Sequence, residues 1–248
     1  MTAPSQLESL TAPELLQWAI GTFGDKLALV TSFQASGMVI LDMASRIPGD
    51  FRVITLDTGR LPEETYQMID TVRSRYGLRV EVVLPDPAEV QAMVSRHGVN
   101  LFYVDGALRK LCCEVRKVRP LERKLKEFRA WATGARRTQA ESRAELRKVE
   151  EQEGLLKLNP LADWTALEVD EYIRAHDVPR HPLYAQGYTS IGCAPCTRAT
   201  LPGEEERAGR WWWEESGLKE CGIHVAADGS LRRMLDVRLE EVLKEANA

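Results

Sequence analysis

The chain has 248 residues, of which 44% are hydrophobic and 28% charged, and its formal net charge is −4. No apolar run approaches the roughly 18 residues that a membrane span requires, and an acidic balance argues against a general nucleic-acid surface, which needs a broad basic face. We therefore expect a protein that acts on neither membranes nor nucleic acid. The length suits one α/β domain with appendages, placed at residues 1–215, followed by a C-terminal tail at 216–248.

The N-terminal sequence lacks the basic and apolar segments of a secretory signal. The default expectation is therefore a cytoplasmic protein. Five cysteines are present, and in a cytosolic chain of this length they favour metal binding or catalysis over a disulfide framework.

Short apolar runs alternate with helical patterns along the first two thirds of the chain. Strands are predicted at 27–33, 51–56, 78–84, 129–133 and 155–158, and helices at 12–22, 38–45, 62–76, from 87, and after the capping-box pair Thr165 and Glu168. Such alternation is typical of βαβ units. The predicted fold is an open, mainly parallel sheet with helices on both faces, followed by an irregular segment from about Pro179.

Polar and glycine-rich turns follow three of the predicted strands, at 32–37, 57–59 and 134–137. In an open parallel sheet, ligands bind beyond the carboxyl ends of the strands. The first turn leads into a helix, whose N-terminal N–H groups suit an anion. An ordinary strand-to-helix connection is the alternative interpretation of that turn.

Four of the cysteines form two pairs, the adjacent Cys112 and Cys113 and the CxxC of Cys193 and Cys196. Four thiolates can enclose zinc or an iron–sulfur cluster. Adjacent cysteines favour the cluster, because a cubane offers each sulfur its own iron atom. Zinc and unliganded thiols remain alternatives, and Cys221 stands apart from both pairs.

Cations and aromatic residues lie near these cysteines. Arg116, Lys117 and Arg119 follow the adjacent pair, and a solvated helix face is the alternative to a functional role for them. The run from Trp211 to Trp213 suggests stacking on a base, although packing of the irregular segment is the favoured interpretation.

Several motifs in one order resemble the assimilatory adenylyl-sulfate (APS) reductases of the iron–sulfur type, within the phosphoadenylyl-sulfate reductase family. The matching stretches are Cys112-Cys113-Glu114-Val115-Arg116-Lys117-Val118-Arg119-Pro120-Leu121, Gly134-Ala135-Arg136-Arg137-Thr138-Gln139, Cys193-Ala194-Pro195-Cys196-Thr197-Arg198, Arg207-Ala208-Gly209-Arg210-Trp211-Trp212-Trp213-Glu214 and Lys219-Glu220-Cys221-Gly222-Ile223-His224. The resemblance covers roughly residues 25–225.

The resemblance implies an adenine nucleotide α-hydrolase-like sheet that binds APS, with a [4Fe-4S] cluster on Cys112, Cys113, Cys193 and Cys196. It implies that Cys221 attacks the sulfate sulfur, that AMP leaves and an S-sulfocysteine forms, and that thioredoxin or a related thiol donor releases sulfite. Residues 1–215 are then the nucleotide-binding domain with the cluster site, and 216–248 the catalytic tail. The chain departs from the family by continuing past His224, where apolar residues between Leu231 and Leu243 predict a terminal helix that caps the domain or helps to form a homo-oligomer.

The resemblance also implies a substrate-binding set. Lys117, Arg207 and Arg210 occupy positions that contact the phosphosulfate. Arg136 and Arg137 lie in a further substrate-facing motif. Apart from the resemblance, Ser32 in the first turn is a candidate contact, and His224, three residues after Cys221, is a candidate partner of the thiolate or of a substrate oxygen, with a structural role as the favoured alternative. The loop 34–38 departs from the small-residue and acidic pattern that the family usually has after its first strand.

Three other functions compete with APS reduction. The same chemistry on the 3′-phosphorylated nucleotide (PAPS), or on both nucleotides, is the nearest, although the four paired cysteines favour APS. A non-catalytic iron–sulfur redox module would suit five cysteines but would not require the separate cations. ATP-dependent thiolation is disfavoured, because the first loop lacks a Ser-Gly-Gly-x-Asp-Ser motif.

Overall fold

The structure is a computed structural model that describes residues 4–152 and 154–214. Its strands are β1 Leu27–Val30, β2 Arg52–Leu56, β3 Val80–Val83, β4 Ala130–Ala132, β5 Val149–Gln152 and β6 Leu155–Leu158. Its α-helices are α1 Pro4–Glu8, α2 Ala12–Phe23, α3 Ala35–Ser45, α4 Glu63–Tyr76, α5 Pro87–His97, α6 Gly106–Cys113, α7 Arg119–Leu125 and α8 Ala166–His176, with a π-helix at Glu114–Val118.

The strands form one sheet in the order β3-β2-β1-β4-β6-β5. The strand β1 pairs in parallel with β2 and with β4, and β4 pairs in parallel with β6. This arrangement confirms the predicted mainly parallel α/β fold. The chain order changes direction between β1 and β4, and in such sheets the crevice at the strand ends beside that point receives the ligand.

The centre of the sheet is covered on both faces. Leu27, Ala28 and Leu29 are each at most 1% exposed, although neighbouring residues in a strand point to opposite faces. The helix α2 contributes one apolar side to this core, with Leu15 and Leu16 fully buried. Burial on both faces explains why the strand sequence is a continuous apolar run instead of an alternating one.

Two parts of the fold differ from the sequence prediction. The helix α3 begins at Ala35, three residues before the predicted start, because Ser36 and Gly37 form its first turn. The edge strand β5, which the prediction lacks, runs antiparallel to β6. Glu8 on α1 accepts hydrogen bonds from the backbone N–H groups of Lys148 and Val149 at the start of that edge.

The chain divides into two compact units. The sheet unit comprises Met1–Thr55, Arg60–Val82 and Leu125–Trp212, and the helical unit comprises Leu56–Gly59, Val83–Lys124 and Trp213–Ala248. The predicted boundary between residues 215 and 216 stays a prediction, because residues 215–248 lie outside the described residues. Within the described ranges, none of the helices has the length and apolar character needed to cross a bilayer.

Candidate functional site

In the sheet unit, the connection from β1 to α3 has an unusual backbone. Phe33 is fully buried and adopts a positive φ of 57°, which is uncommon for a bulky residue. The hydroxyl of Thr31 accepts a hydrogen bond from the Phe33 N–H at 2.9 Å and supports this turn. Ser32, the candidate nucleotide contact, is exposed at its tip. Strained backbone of this kind often marks ligand-binding sites.

Tyr184 holds the first residue of α3 from the irregular segment. Its hydroxyl accepts a hydrogen bond from the Ala35 N–H at 3.1 Å. Desolvation raises the pKa of Tyr184, so the phenol keeps its proton and can donate a further hydrogen bond at the N-terminus of α3. This role of Tyr184 was not predicted, because the residue is distant in sequence from Ala35 and belongs to no recognised motif.

Arg136, just after β4, is buried and makes several hydrogen bonds. Its Nε donates to the Ser36 hydroxyl at 3.0 Å, its Nη1 to Thr138 at 3.0 Å, and its Nη2 to both carboxylate oxygens of Glu206 at 3.0 and 3.1 Å. Arg136 thus joins the end of β4, the first turn of α3 and the irregular segment. Glu206 was missed by sequence reasoning, although it immediately precedes Arg207.

Arg137 and Gly134 complete this loop. The half-buried Arg137 donates from Nε to the Leu146 carbonyl at 2.8 Å. A Cβ on Gly134 would lie 2.7 Å from the backbone nitrogen of Gly37, a distance that atoms in a folded protein do not tolerate. The loops after β1 and β4 therefore touch backbone to backbone, as the sequence prediction of one ligand-binding edge requires.

In the same unit, a single 3₁₀ turn follows Cys193 and ends at Cys196. The Cys196 N–H donates to the Cys193 carbonyl at 2.9 Å, and the Ala194 N–H donates to the Arg60 carbonyl at 2.8 Å. Cys196 is buried and Cys193 is half-buried. The backbone of this turn therefore fixes the positions from which the two thiols of the CxxC pair extend.

Arg210 lies beside that cysteine turn. It forms an antiparallel β-bridge with Thr197, and the Trp211 N–H donates to the Cys196 carbonyl at 3.2 Å. The Arg210 side chain is 5% exposed. Its guanidinium lies over the Trp211 ring, 4.6 Å from the centroid, and Nη1 donates to the Ile191 carbonyl at 3.3 Å.

The buried Nε of Arg210 has no hydrogen-bond partner among residues 4–152 and 154–214. A buried N–H of this kind costs free energy unless it is satisfied. Arg207, the other candidate of this motif, is half-buried, and its carbonyl accepts a hydrogen bond from the Arg210 N–H at 3.0 Å. The structure thus brings both arginines into one turn next to Cys196.

In the helical unit, Cys112 and Cys113 end α6, and both are buried. The π-helix that follows carries Arg116 and Lys117. Segments of π-helix are rare and occur frequently at functional sites. The adjacent thiols and the half-buried Lys117 therefore share one irregular stretch of helix.

The three cations after the cysteine pair have different surroundings. Arg116 is buried, and its Nη1 donates to the Thr58 carbonyl at 2.7 Å, so a solvated helix face is wrong for this residue. Arg119 pairs with Glu114 at 3.4 Å and with Glu89 at 3.6 Å. Arg116 fixes the turn after β2, and Arg119 belongs to an ion-pair network.

Two of the three tryptophans in the Trp211–Trp213 run make packing contacts, whereas Trp212 is exposed. Trp211 is buried in the sheet unit. In the helical unit, Trp213 contacts Tyr103 with ring centroids 4.5 Å apart. Arg109, 2% exposed, forms an ion pair with Glu214.

Two of the predicted site residues, Cys221 and His224, lie outside the described residues. Within residues 4–152 and 154–214, the structure has no group of three or more His, Cys, Asp or Glu side chains placed to hold a metal ion. The chemistry of the donor set fits an iron–sulfur cluster, because thiolates are its usual ligands and three of the four described cysteines are withdrawn from water.

Comparison with known proteins identifies the family. Residues 26–199 match the model of the phosphoadenosine phosphosulfate reductase domain. The chain is 49% identical to the adenosine 5′-phosphosulfate reductase of Burkholderia cepacia over 83% of each chain. It is also 49% identical to that of Allochromatium vinosum, over 81% of this chain and 79% of the relative.

A solved structure agrees with the sequence relatives. The phosphoadenylyl-sulfate (PAPS) reductase from Candida auris, in a phosphate complex, superposes with a TM-score of 0.65 at 31% identity, over 77% of this chain and 92% of that one. The strand order, the arginine and cysteine motifs and these matches lead to one conclusion: the chain belongs to the phosphoadenosine phosphosulfate reductase family, with the adenosine 5′-phosphosulfate reductases among its relatives.

Proposed function

We propose that the protein reduces APS to sulfite and AMP with electrons from a thiol donor, as a step of sulfate assimilation. The observation that carries the proposal is Arg210, a buried cation with an unsatisfied N–H beside the CxxC turn. Such a group is suited to a bound anion. The names of the relatives support APS as that anion.

In the proposed reaction, the Cys221 thiolate attacks the sulfur of the sulfate group. An S–S bond forms, the S–O bond to the phosphate breaks, and AMP leaves with the electron pair. A donor thiolate then attacks the Cys221 sulfur and releases sulfite, and a second donor thiol resolves the mixed disulfide. The dithiol is oxidised to a disulfide, and the sulfuryl group gains the two electrons.

Cations are needed for the first step, because a thiolate must approach an anionic group. A free thiol with a pKa of about 8.5 is mostly protonated at neutral pH. In the proposal, Lys117, Arg207 and Arg210 bind the phosphosulfate, and Arg137 and Ser32 contribute to nucleotide binding. Arg136 holds the loop through Glu206 and Ser36. His224 is a further candidate contact near the thiolate.

Cys112, Cys113, Cys193 and Cys196 would hold a [4Fe-4S] cluster. When bound, it would fix the segments that carry its ligands and tune the site electrostatically through Lys117. Four iron atoms per chain and visible absorption are expected of protein purified without oxygen, whereas a zinc site would have no visible absorption. Single Cys193→Ser and Cys112→Ser variants should lose that absorption.

Other features of the proposed enzyme follow from the same chemistry. The thiol donor is thioredoxin or a related protein, because the S-sulfocysteine needs a dithiol to release sulfite. A cytoplasmic location suits five cysteines in a reducing compartment. A homo-oligomer involving residues 225–248 remains part of the proposal.

The test is a search for the covalent intermediate. Wild-type protein mixed with APS, without a thiol donor, should gain one sulfite on Cys221 and release one AMP, as measured by peptide mass spectrometry. Cys221→Ser should gain no sulfite and should retain the cluster absorption. Sulfite on the Cys221→Ser protein would refute the assigned nucleophile, and no adduct on wild type would favour the non-catalytic redox module.

PAPS reduction, or reduction of both nucleotides, is the second candidate, favoured by the similarity to the Candida auris enzyme. It shares every step above and differs at the ribose 3′ position. A higher kcat/KM for PAPS than for APS would make it the principal activity. We expect the reverse order.

A further inference from the structure

Gln34 links two segments that are distant in sequence within the sheet unit. It is the residue before α3, and its side chain does not cap that helix. Instead, Nε2 donates to the Ser32 hydroxyl at 3.0 Å, and Oε1 accepts from the Ile191 N–H at 2.8 Å. One amide thus joins the loop after β1 to the segment that leads into Cys193.

Ile191 makes hydrogen bonds to both Gln34 and Arg210. Its N–H is held by Gln34, and its carbonyl accepts from Arg210 Nη1 at 3.3 Å. The two groups belong to successive peptide planes of one residue, so the position of one constrains the other. The result is a continuous chain of hydrogen bonds from Ser32 through Gln34 and Ile191 to Arg210.

The guanidinium of Arg210 occupies a confined space. A Cβ on Gly192 would lie 2.4 Å from Nη2 and 2.5 Å from the central carbon. The guanidinium also lies over the Trp211 ring. Because the guanidinium has little room to move, its hydrogen bond to the Ile191 carbonyl sets its orientation. The guanidinium is planar, so the same hydrogen bond also sets the direction of the Nε N–H.

We propose that Gln34 is a positioning residue. By holding the Ile191 N–H, it fixes the backbone of Ile191, and the Ile191 carbonyl in turn orients the Arg210 guanidinium toward the substrate anion. The inference rests on the proposed function for the identity of that anion. It makes the loop after β1 and the arginine one coupled unit. The substrate edge and the arginine are then set together by one side chain.

The test is a double-mutant cycle on the rate of sulfite-adduct formation with APS. Gln34→Met preserves the length of the side chain and removes both hydrogen bonds. We expect it to lower the second-order rate constant of adduct formation about tenfold in the wild-type background and less than about twofold in the Arg210→Lys background, because the two residues act through one path. Gln67→Met, on the exposed side of α4, is the matched control and should change the rate less than twofold.

Hydrogen exchange gives a second readout that needs no activity. In Gln34→Met, the Ile191 amide should exchange at least about tenfold faster, whereas amides within α8 should be unaffected. Equal rate losses in both backgrounds, or unchanged Ile191 exchange, would overturn the role of Gln34 and leave APS reduction intact. A wild-type protein that formed no adduct would instead refute the proposed function, and Ile191 exchange would still decide the Gln34 contact.

Discussion

The guanidinium of Arg136 donates to both carboxylate oxygens of Glu206, at 3.0 and 3.1 Å, and so ties the loop after β4 to the residue before Arg207. The arginine side chain is 4% exposed and that of Glu206 is 29% exposed. The contact combines charge, two hydrogen bonds and limited access of water. Its loss should therefore be measurable both in stability and in activity.

Glu206→Gln should lower the free energy of unfolding by about 2 kcal/mol, because a largely buried guanidinium loses its counter-charge. Urea unfolding monitored by tryptophan fluorescence measures the change. Asp170→Asn is the matched control, since its pair with Arg180 is 41% to 42% exposed and should be worth at most about 1 kcal/mol. Equal losses in the two variants would contradict a special role for the Glu206 pair.

Arg210→Lys should lower kcat/KM for APS by about 10² to 10³, the usual effect of removing a preorganised donor to an anion. Lysine keeps the charge but lacks the planar fork. The variant also loses the hydrogen bond to the Ile191 carbonyl and the guanidinium contact with the Trp211 ring, so urea unfolding is measured alongside to show that it remains folded. Steady-state kinetics with the exposed Arg174→Lys as the control measure the effect. A wild-type rate in Arg210→Lys would remove Arg210 from the site.

Gly134→Ala should destabilise the protein by about 1 to 3 kcal/mol, because the new methyl group would meet the backbone of Gly37 and Ser36. Gly21→Ala should instead stabilise the protein. A Cβ there has no neighbour within 4 Å, and the residue lies within α2, where alanine is preferred by about 1 kcal/mol. Thermal unfolding of both variants should move in opposite directions. A stabilised Gly134→Ala would mean that the two loops can separate at little cost.

His181 should make stability depend on pH. Its Nδ1 accepts from the Leu183 N–H at 3.3 Å, so Nε2 carries the proton and donates to the Thr65 hydroxyl at 3.0 Å. Burial lowers the pKa of His181. The folded state therefore binds fewer protons than the unfolded state, and stability is complete above a pH of about 6.5 and falls as the pH is lowered below it.

His181→Asn tests this dependence, because an asparagine oxygen can still accept from Leu183 N–H and does not titrate. The variant should show a flatter profile of unfolding free energy between about pH 5 and 7. The measurement is urea unfolding at a series of pH values. Identical profiles for the variant and wild type would assign the pH dependence to other groups.

Local patterns predicted the interior of the fold well. The strands at the centre of the sheet are apolar because both faces are covered, and the helix start at Thr165 and Glu168 is confirmed by reciprocal hydrogen bonds between those residues. The strand β5 was missed because its sequence, Val-Glu-Glu-Gln, has no apolar run. Its place in the sheet depends on pairing with β6 and on Glu8, which are tertiary contacts.

The sequence predicted which motifs belong to the candidate site, but it did not predict which residues contact one another there. The sequence motifs identified the cysteine pairs and the arginines, and the sheet explains why the loops carrying Ser32 and Arg136 meet. The partners Glu206, Tyr184 and Gln34 were not identified, because each is defined by a residue distant in sequence. A buried arginine at position 136 does require an acidic partner, but the chain offers many acidic residues to choose from.

The π-helix at Glu114–Val118 has a consequence for the length of its segment. A π turn holds about one residue more than an α turn, so the helix from Gly106 to Leu125 has the register of an ordinary helix with a single insertion. A regular α-helix with the same number of residues would rotate Cys112 and Cys113 by about 100° relative to Leu121, whereas deleting one residue together with the π turn would keep their orientation. The π turn therefore preserves the orientation of the two cysteines relative to the helix that follows, although it interrupts the regular α-helix.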